Sequence, residues 1–110
     1  MCLRDRKLLS EDGICVVVVT ISRRRNKILA GPEIGSRGFV YMKASEELVK
    51  ESSNIVREVV EDNLHTKDFD WAKLKQEIRD SLSRYLFEKT KRKPVILPII
   101  MEASNYQKKS

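Results

Sequence analysis

Residues 14–21 read ICVVVVTI, an unbroken apolar run rich in β-branched side chains. Such residues are stiff at χ1 and fit a pleated ladder better than a helix. A strand with no polar break is buried on both faces. Along it Cys15, Val17, Val19 and Ile21 point one way, and Ile14, Val16 and Val18 point the other. A chain containing this run must therefore supply cover for two sheet faces.

The rest of the sequence supplies elements of both kinds. Asp12-Gly13 signals a turn before the run, and SRRRNK over 22–27 predicts a loop after it. KILAGPEI over 27–34 predicts a second strand, whose pairing Pro32 ends or bulges. GFVYM over 38–42 predicts a third, short strand. Ser45 has the character of an N-cap, with Glu46 and Glu47 in the following turn, where carboxylates complement the helix dipole. Leu48, Ser52, Ile55, Val59 and Leu64 then recur at helical spacing, which predicts a helix over 45–64. Asp70 caps a second helix over 71–90, carrying the stripe Trp71, Leu74, Ile78, Leu82 and Tyr85. A basic run and Pro94 stop it. PVILPIIME over 94–102 predicts the last strand, with Pro98 placing it at an edge or a bulge and ICVVVVTI at the centre.

The order β-β-β-α-α-β predicts an α+β domain: a small mixed sheet of three or four strands with two antiparallel helices on one face. The sequence predicts a lead-in over residues 1–12 and a disordered tail over 103–110. Two helices cover one sheet face. The last strand is also apolar on both sides, with Val95, Leu97, Ile99 and Met101 opposite Ile96 and Ile100. The second face calls for a partner, either another copy of the chain or the rest of a larger protein, unless the lead-in and loops fold over it. The candidate assembly surface is Cys15, Val17, Val19 and Ile21 with Leu97, Ile99 and Met101.

The 110 residues suit one domain with a real core. No apolar run reaches the roughly 20 residues of a membrane helix, and MCLRDRKLLSEDG lacks the apolar core of a signal peptide. These features predict a cytoplasmic protein with no membrane partner, in which Cys2 and Cys15 are free thiols.

The net charge of +6 is segmented: nine basic and four acidic residues over 1–43, three and eight over 44–70, eight and three over 71–93. Two basic segments flank an acidic one, so only part of the surface suits an anion. Three clusters are candidate RNA-contacting groups. They are Arg23, Arg24, Arg25 and Lys27 at a hairpin tip, Arg37 among glycines, and Lys89, Lys91, Arg92 and Lys93 after the second helix. Phe39 and Tyr41 near Arg37 suit base stacking or core packing. Arg37 suits a structural ion pair, with Glu33 the nearest partner in sequence, or a contact across an interface.

Catalytic constellations are scarce. One histidine, His65, serves neither a two-metal hydrolase nor a serine triad, and a helix end suits it better. Glu47, Glu51, Glu58, Glu61 and Asp62 form a solvated helix face. GPEIGSRG lacks the Lys-Ser/Thr of a phosphate loop, and the element predicted after it is the strand over 38–42 and not a helix. These residues predict no catalytic site, metal site or cofactor in this chain.

Four blocks, in unbroken order across residues 3–102, carry a resemblance: LLSEDGICVVVVTI, AGPEIGSRGFVYM, the W-x-x-L-K-x-x-I-R-D segment from Trp71 to Asp80, and YLFEKTKRKPVILPIIME. Together they resemble the C-terminal domain of the bacterial ribonuclease J family. The tip RRRN and the tail SNYQKKS look particular to this chain. The resemblance implies a metallo-β-lactamase/β-CASP ribonuclease acting as a 5′-to-3′ exonuclease and as an endonuclease, with zinc in the preceding catalytic domains. It implies that residues 1–12 lead in from that region and that 13–102 form the C-terminal domain. The domain's own part would be assembly of dimers or tetramers and support of full activity. An RNA-binding module that guides single strands to the nuclease is the alternative.

Overall fold

The computed structural model describes residues 12–103. The lead-in over 1–11, with Cys2, and the tail over 104–110 lie outside the described residues. Strand β1 spans Ile14–Ser22 and β2 spans Lys27–Arg37. A short helix α1, Val40–Ala44, precedes two long ones, α2, Glu46–Leu64, and α3, Trp71–Thr90; β3, Val95–Glu102, closes the domain. The sheet order is β2-β1-β3, with β2 antiparallel and β3 parallel to β1. The α+β class and the mixed three-stranded sheet are as the sequence predicts, and the β-branched run is the central strand.

The helix starts follow from their caps. The Ser45 hydroxyl accepts from the Leu48 amide at 3.1 Å, and the Asp70 carboxylate accepts from the Ala72 amide at 2.9 Å. Each satisfies a first-turn donor that the helix itself leaves unpaired. Lys91 ends α3 in the left-handed region at φ 61°, its amide bonded to the Phe87 carbonyl at 2.8 Å. The core lies between one sheet face and the two long helices. Cys15, Val17, Val19 and Ile21 of β1 meet Val56, Val60 and Leu64 of α2 and Leu74, Ile78, Leu82 and Leu86 of α3. The α3 stripe is rotated slightly from its predicted line: Leu86 takes the buried position, Tyr85 is half-buried and Trp71 is exposed.

The predicted third strand over 38–42 is a correction. Gly38, at φ +76°, ends β2, and the chain turns into α1. Phe39 and Met42 are buried while Val40 and Tyr41 face out, a three-residue step that suits a helical turn and not an alternating strand. The second strand also runs three residues further than predicted, to Arg37. Gly31 and Pro32 together oppose Val19, between the pairs Val18–Glu33 and Thr20–Ala30, so Pro32 sits in a bulge and does not end the pairing. A Cβ on Gly31 would lie 2.8 Å from the Val18 carbonyl oxygen, and its φ is +89°, so the bulge requires glycine.

Candidate functional site

Parity decides which side chains the sheet offers to a partner. In the parallel pair Cys15 aligns with Ile96, Val16 with Leu97, Val18 with Ile99 and Thr20 with Met101. Side chains in register share a face. The face away from the helices therefore carries Ile14, Val16, Val18 and Thr20 from β1 and Val95, Leu97, Ile99 and Met101 from β3. Leu97, Ile99 and Met101 are 44%, 45% and 47% exposed. Across β2 the same face carries Arg37, Gly35, Glu33 and Ala30, opposite Ile14, Val16, Val18 and Thr20 respectively. A shallow depression of about 180 Å³ between Val18, Glu33 and Met101 marks the bulge on this face.

Four of the seven candidate assembly residues are therefore corrected. Cys15, Val17, Val19 and Ile21 are at most 1% exposed and form the floor of the core. They cannot meet a partner while the domain is folded. Their burial pushes the Cys15 thiol up to about 11, since a thiolate there would lose its hydration. The sequence set them with Leu97, Ile99 and Met101, but the register pairs those three with the opposite parity of β1.

The basic clusters occupy opposite ends of the sheet. The tip of the β1–β2 hairpin holds Arg23, Arg24, Arg25 and Lys27. At the far end, Ile14 pairs with both Arg37 and Val95, placing Arg37 near the segment that holds Lys91, Arg92 and Lys93 before β3. There the Lys93 amide donates to the Asp12 carboxylate at 2.9 Å and the Val95 amide donates to the Gly13 carbonyl at 2.9 Å. The Arg92 guanidinium is held above its ordinary range chiefly by hydrogen bonding to Tyr41, then by the charges of Tyr41 and Asp12. Lys91 and Lys93 lie 5.4 and 5.2 Å from the centre of the exposed Phe87 ring, and Lys89 lies 5.9 Å from that of Tyr85.

Arg37 does not pair with Glu33. The two sit four residues apart on one strand face, about 13 Å of strand rise, beyond ion-pair reach. Phe39 is buried and its ring lies 5.6 Å from that of Tyr41, so it belongs to the core and is closed to a base. The aromatic neighbours of a basic cluster lie elsewhere. The Arg23 guanidinium sits 4.0 Å over the centre of Phe69, and Trp71 meets Phe69 edge-to-face at 4.9 Å. The sequence signal for this corner is Phe69-Asp70-Trp71, where the interhelix connection runs into α3, and it acquires meaning only once Phe69 is laid against the hairpin.

His65 caps α2, its Nδ1 2.8 Å from the Glu61 carbonyl oxygen, and the carboxylates of α2 face solvent. Among the described residues no three His, Cys, Asp or Glu side chains converge as metal ligands. The described residues therefore do not fit the zinc that the resemblance assigns to a ribonuclease J. A groove of about 310 Å³ lies between the start of α2 and the end of α3, lined by Tyr41, Glu47, Tyr85 and Lys89. Burial, and then the charges of Glu51 and Glu47, raise the Tyr85 phenol above its ordinary value. No described helix is long and apolar enough to cross a membrane.

Comparison with known proteins gives this geometry a family. The model of the ribonuclease J C-terminal domain matches residues 1–103. Over 100 residues, 91% of the chain, it is 54% identical to ribonuclease J 2 of Staphylococcus epidermidis, 53% to ribonuclease J 2 of Staphylococcus aureus and 50% to ribonuclease J2 of Bacillus subtilis. The matched part spans 18% of the length of each of these relatives.

Proposed function

The chain belongs to the ribonuclease J C-terminal domain family, and from that premise we propose that it is the accessory domain of a ribonuclease J-type RNA-degrading enzyme, with no active site of its own. Its task is to hold copies of the enzyme together, and through that assembly to support full nuclease activity. RNA cleavage, with its zinc, belongs in this reading to catalytic domains elsewhere in a longer cytoplasmic protein. The observation that carries the reading is the open sheet face, where Leu97, Ile99 and Met101 sit side by side, each nearly half exposed. Isolated apolar side chains are ordinary on a surface, but a contiguous row along β3, flanked by the half-buried Val16 and Val18 of β1, favours burial against another molecule.

The occupant is a second copy. The face is apolar along β3 and, Thr20 apart, along β1, and carries one charge of each sign on β2, Glu33 and Arg37. A two-fold axis turns such a surface onto itself, and antiparallel β2 strands can offer Arg37 to Glu33 of the partner subunit. Desolvated apolar area supplies the affinity, and the crossed charges supply register.

Light scattering across a dilution series tests this. The expected result is a dimer that dissociates on dilution, and an Ile99→Asp chain that stays monomeric while keeping its helical circular dichroism. A native chain that remains monomeric at high concentration overturns self-association through this face.

A further inference from the structure

The corner formed by Arg23, Phe69 and Trp71 has no part in the sheet face. Trp71 is the chain's single tryptophan, and it is 37% exposed at the start of α3, one turn before the buried stripe begins at Leu74. The hairpin beside it is held in shape. The Ser22 hydroxyl accepts from the Arg25 amide at 3.1 Å, Asn26 takes the left-handed conformation at φ 53°, and its side-chain oxygen accepts from Arg23 Nη1 at 3.3 Å. Arg23 is spent on Asn26 and on the face of Phe69. Arg24, Arg25 and Lys27 are exposed around it, with Lys67 two residues before Phe69. Opposing charge comes from Asp68, Asp70 and Glu102, and the Asp70 carboxylate is already engaged in capping α3. The corner is net positive and carries an indole on a fixed support.

We propose that this corner binds single-stranded RNA, with one base stacked on Trp71 and the flanking phosphates met by Arg24, Arg25 and Lys27. The inference rests on the reading of the chain as part of an RNA-degrading enzyme. An indole offers a π-face to any base, and arginine forks suit phosphate oxygens. Duplex RNA keeps its bases stacked internally and offers none to Trp71, so the site selects single strands. The opposite end of the sheet holds more lysines, but its exposed rings are already engaged: Phe87 has Lys91 and Lys93 near it, and Tyr41 meets Arg92 through its hydroxyl and packs on Phe39.

Because Trp71 is the only tryptophan, its fluorescence reports on this corner alone. Titration of the 110-residue chain with a short oligoadenylate RNA at low salt should quench the emission in a saturable way. With about three phosphates neutralised, affinity should fall about twentyfold between about 50 and 200 mM salt. By anisotropy of a labelled RNA, Trp71→Ala should weaken binding about tenfold, and Arg24→Glu with Arg25→Glu should abolish it, both with unchanged circular dichroism. Trp71→Phe should recover part of the loss. Binding that leaves Trp71 emission unchanged, equal quenching by a duplex of the same sequence, or no binding at low salt overturns the proposal. Light scattering is blind to this corner. A chain that dimerises without RNA quenching loses this inference and keeps the assembly reading.

Discussion

On β1, Cys15, Val17, Val19 and Ile21 disappear beneath α2 and α3, whereas Ile14, Val16 and Val18 on the same strand stay half-exposed. Both sets are aliphatic or nearly so, and both would serve as core. The difference lies in what each face meets. Capped helices with leucine stripes close one, and nothing within the described domain covers the other. An apolar strand thus reports a demand for cover, and the supply of cover is a property of the whole fold.

Substitutions of one kind on the two faces should part most widely. Val17→Asp places an unpaired carboxylate in the core and should cost about 4 kcal/mol or more, enough to unfold many domains of this size. Ile99→Asp, on the open face, should move the urea midpoint of the monomer by an amount equivalent to about 1 kcal/mol or less while removing self-association. Equal losses of stability would abolish the distinction between the faces.

A narrower contrast lies in the glycines. A Cβ on Gly13 would come within 2.5 Å of the Gly38 carbonyl carbon and 2.6 Å of the Arg37 carbonyl oxygen, and its φ is +86°. Gly13→Ala should cost about 3 kcal/mol in chemical denaturation, since backbone atoms must move and alanine resists that conformation. Gly35 lies on the open face with nothing within 4 Å of its Cβ position, and Gly35→Ala should change monomer stability by about 0.5 kcal/mol or less.

Alkaline pH separates the faces through Cys15. Its thiol ionises at the ordinary 9.0 when unfolded and near 11 when buried. The unfolded chain therefore releases this proton first. Below 9.0 both states keep it and the contribution is flat; as pH climbs toward 11 stability falls. In a Cys2→Ser background, the loss of stability between about pH 8 and about pH 10 should be shallower once Cys15→Ala removes the thiol. An unchanged slope would mean that the thiol is less buried than its place in the core demands.

The smallest expected effect is a gain. Among the described residues the Ser52 hydroxyl is the one buried side-chain polar atom without a hydrogen-bond partner. Ser52→Ala should raise stability by about 1 kcal/mol, read as an upward shift of the thermal midpoint. A loss would show that the hydroxyl has a partner in solution.

Much of the fold was legible because its signals are local. Ser45 and Asp70 announce their helices through one short side chain each, and the spacing of Leu74, Ile78 and Leu82 fixes which side of α3 is buried. Residues 38–42 misled because Phe39, Val40 and Tyr41 alternate like a strand, while the Phe39–Met42 step that suits a helical turn gains force only when Gly38 breaks β2. The candidate surfaces were legible in kind and not in membership. Aliphatic β1 residues of both parities look alike, so only the register to Ile96 and Leu97 separates core from open face. Arg23 and Phe69 are far apart in sequence, and no spacing rule joins them.

By itself the sequence determined the α+β class, the boundaries of the two long helices, the central place of ICVVVVTI, the family and the presence of two basic segments. Each of these is written in neighbouring residues, in periodicity or in matched blocks of sequence. Only the tertiary structure decided which face of β1 is core, that Arg37 and the lysines before β3 share one end while the arginine tip takes the other, and that Trp71 stands beside that tip. Those facts depend on pairing register and on the direction in which α3 crosses the sheet, which long-range packing fixes and local propensity does not.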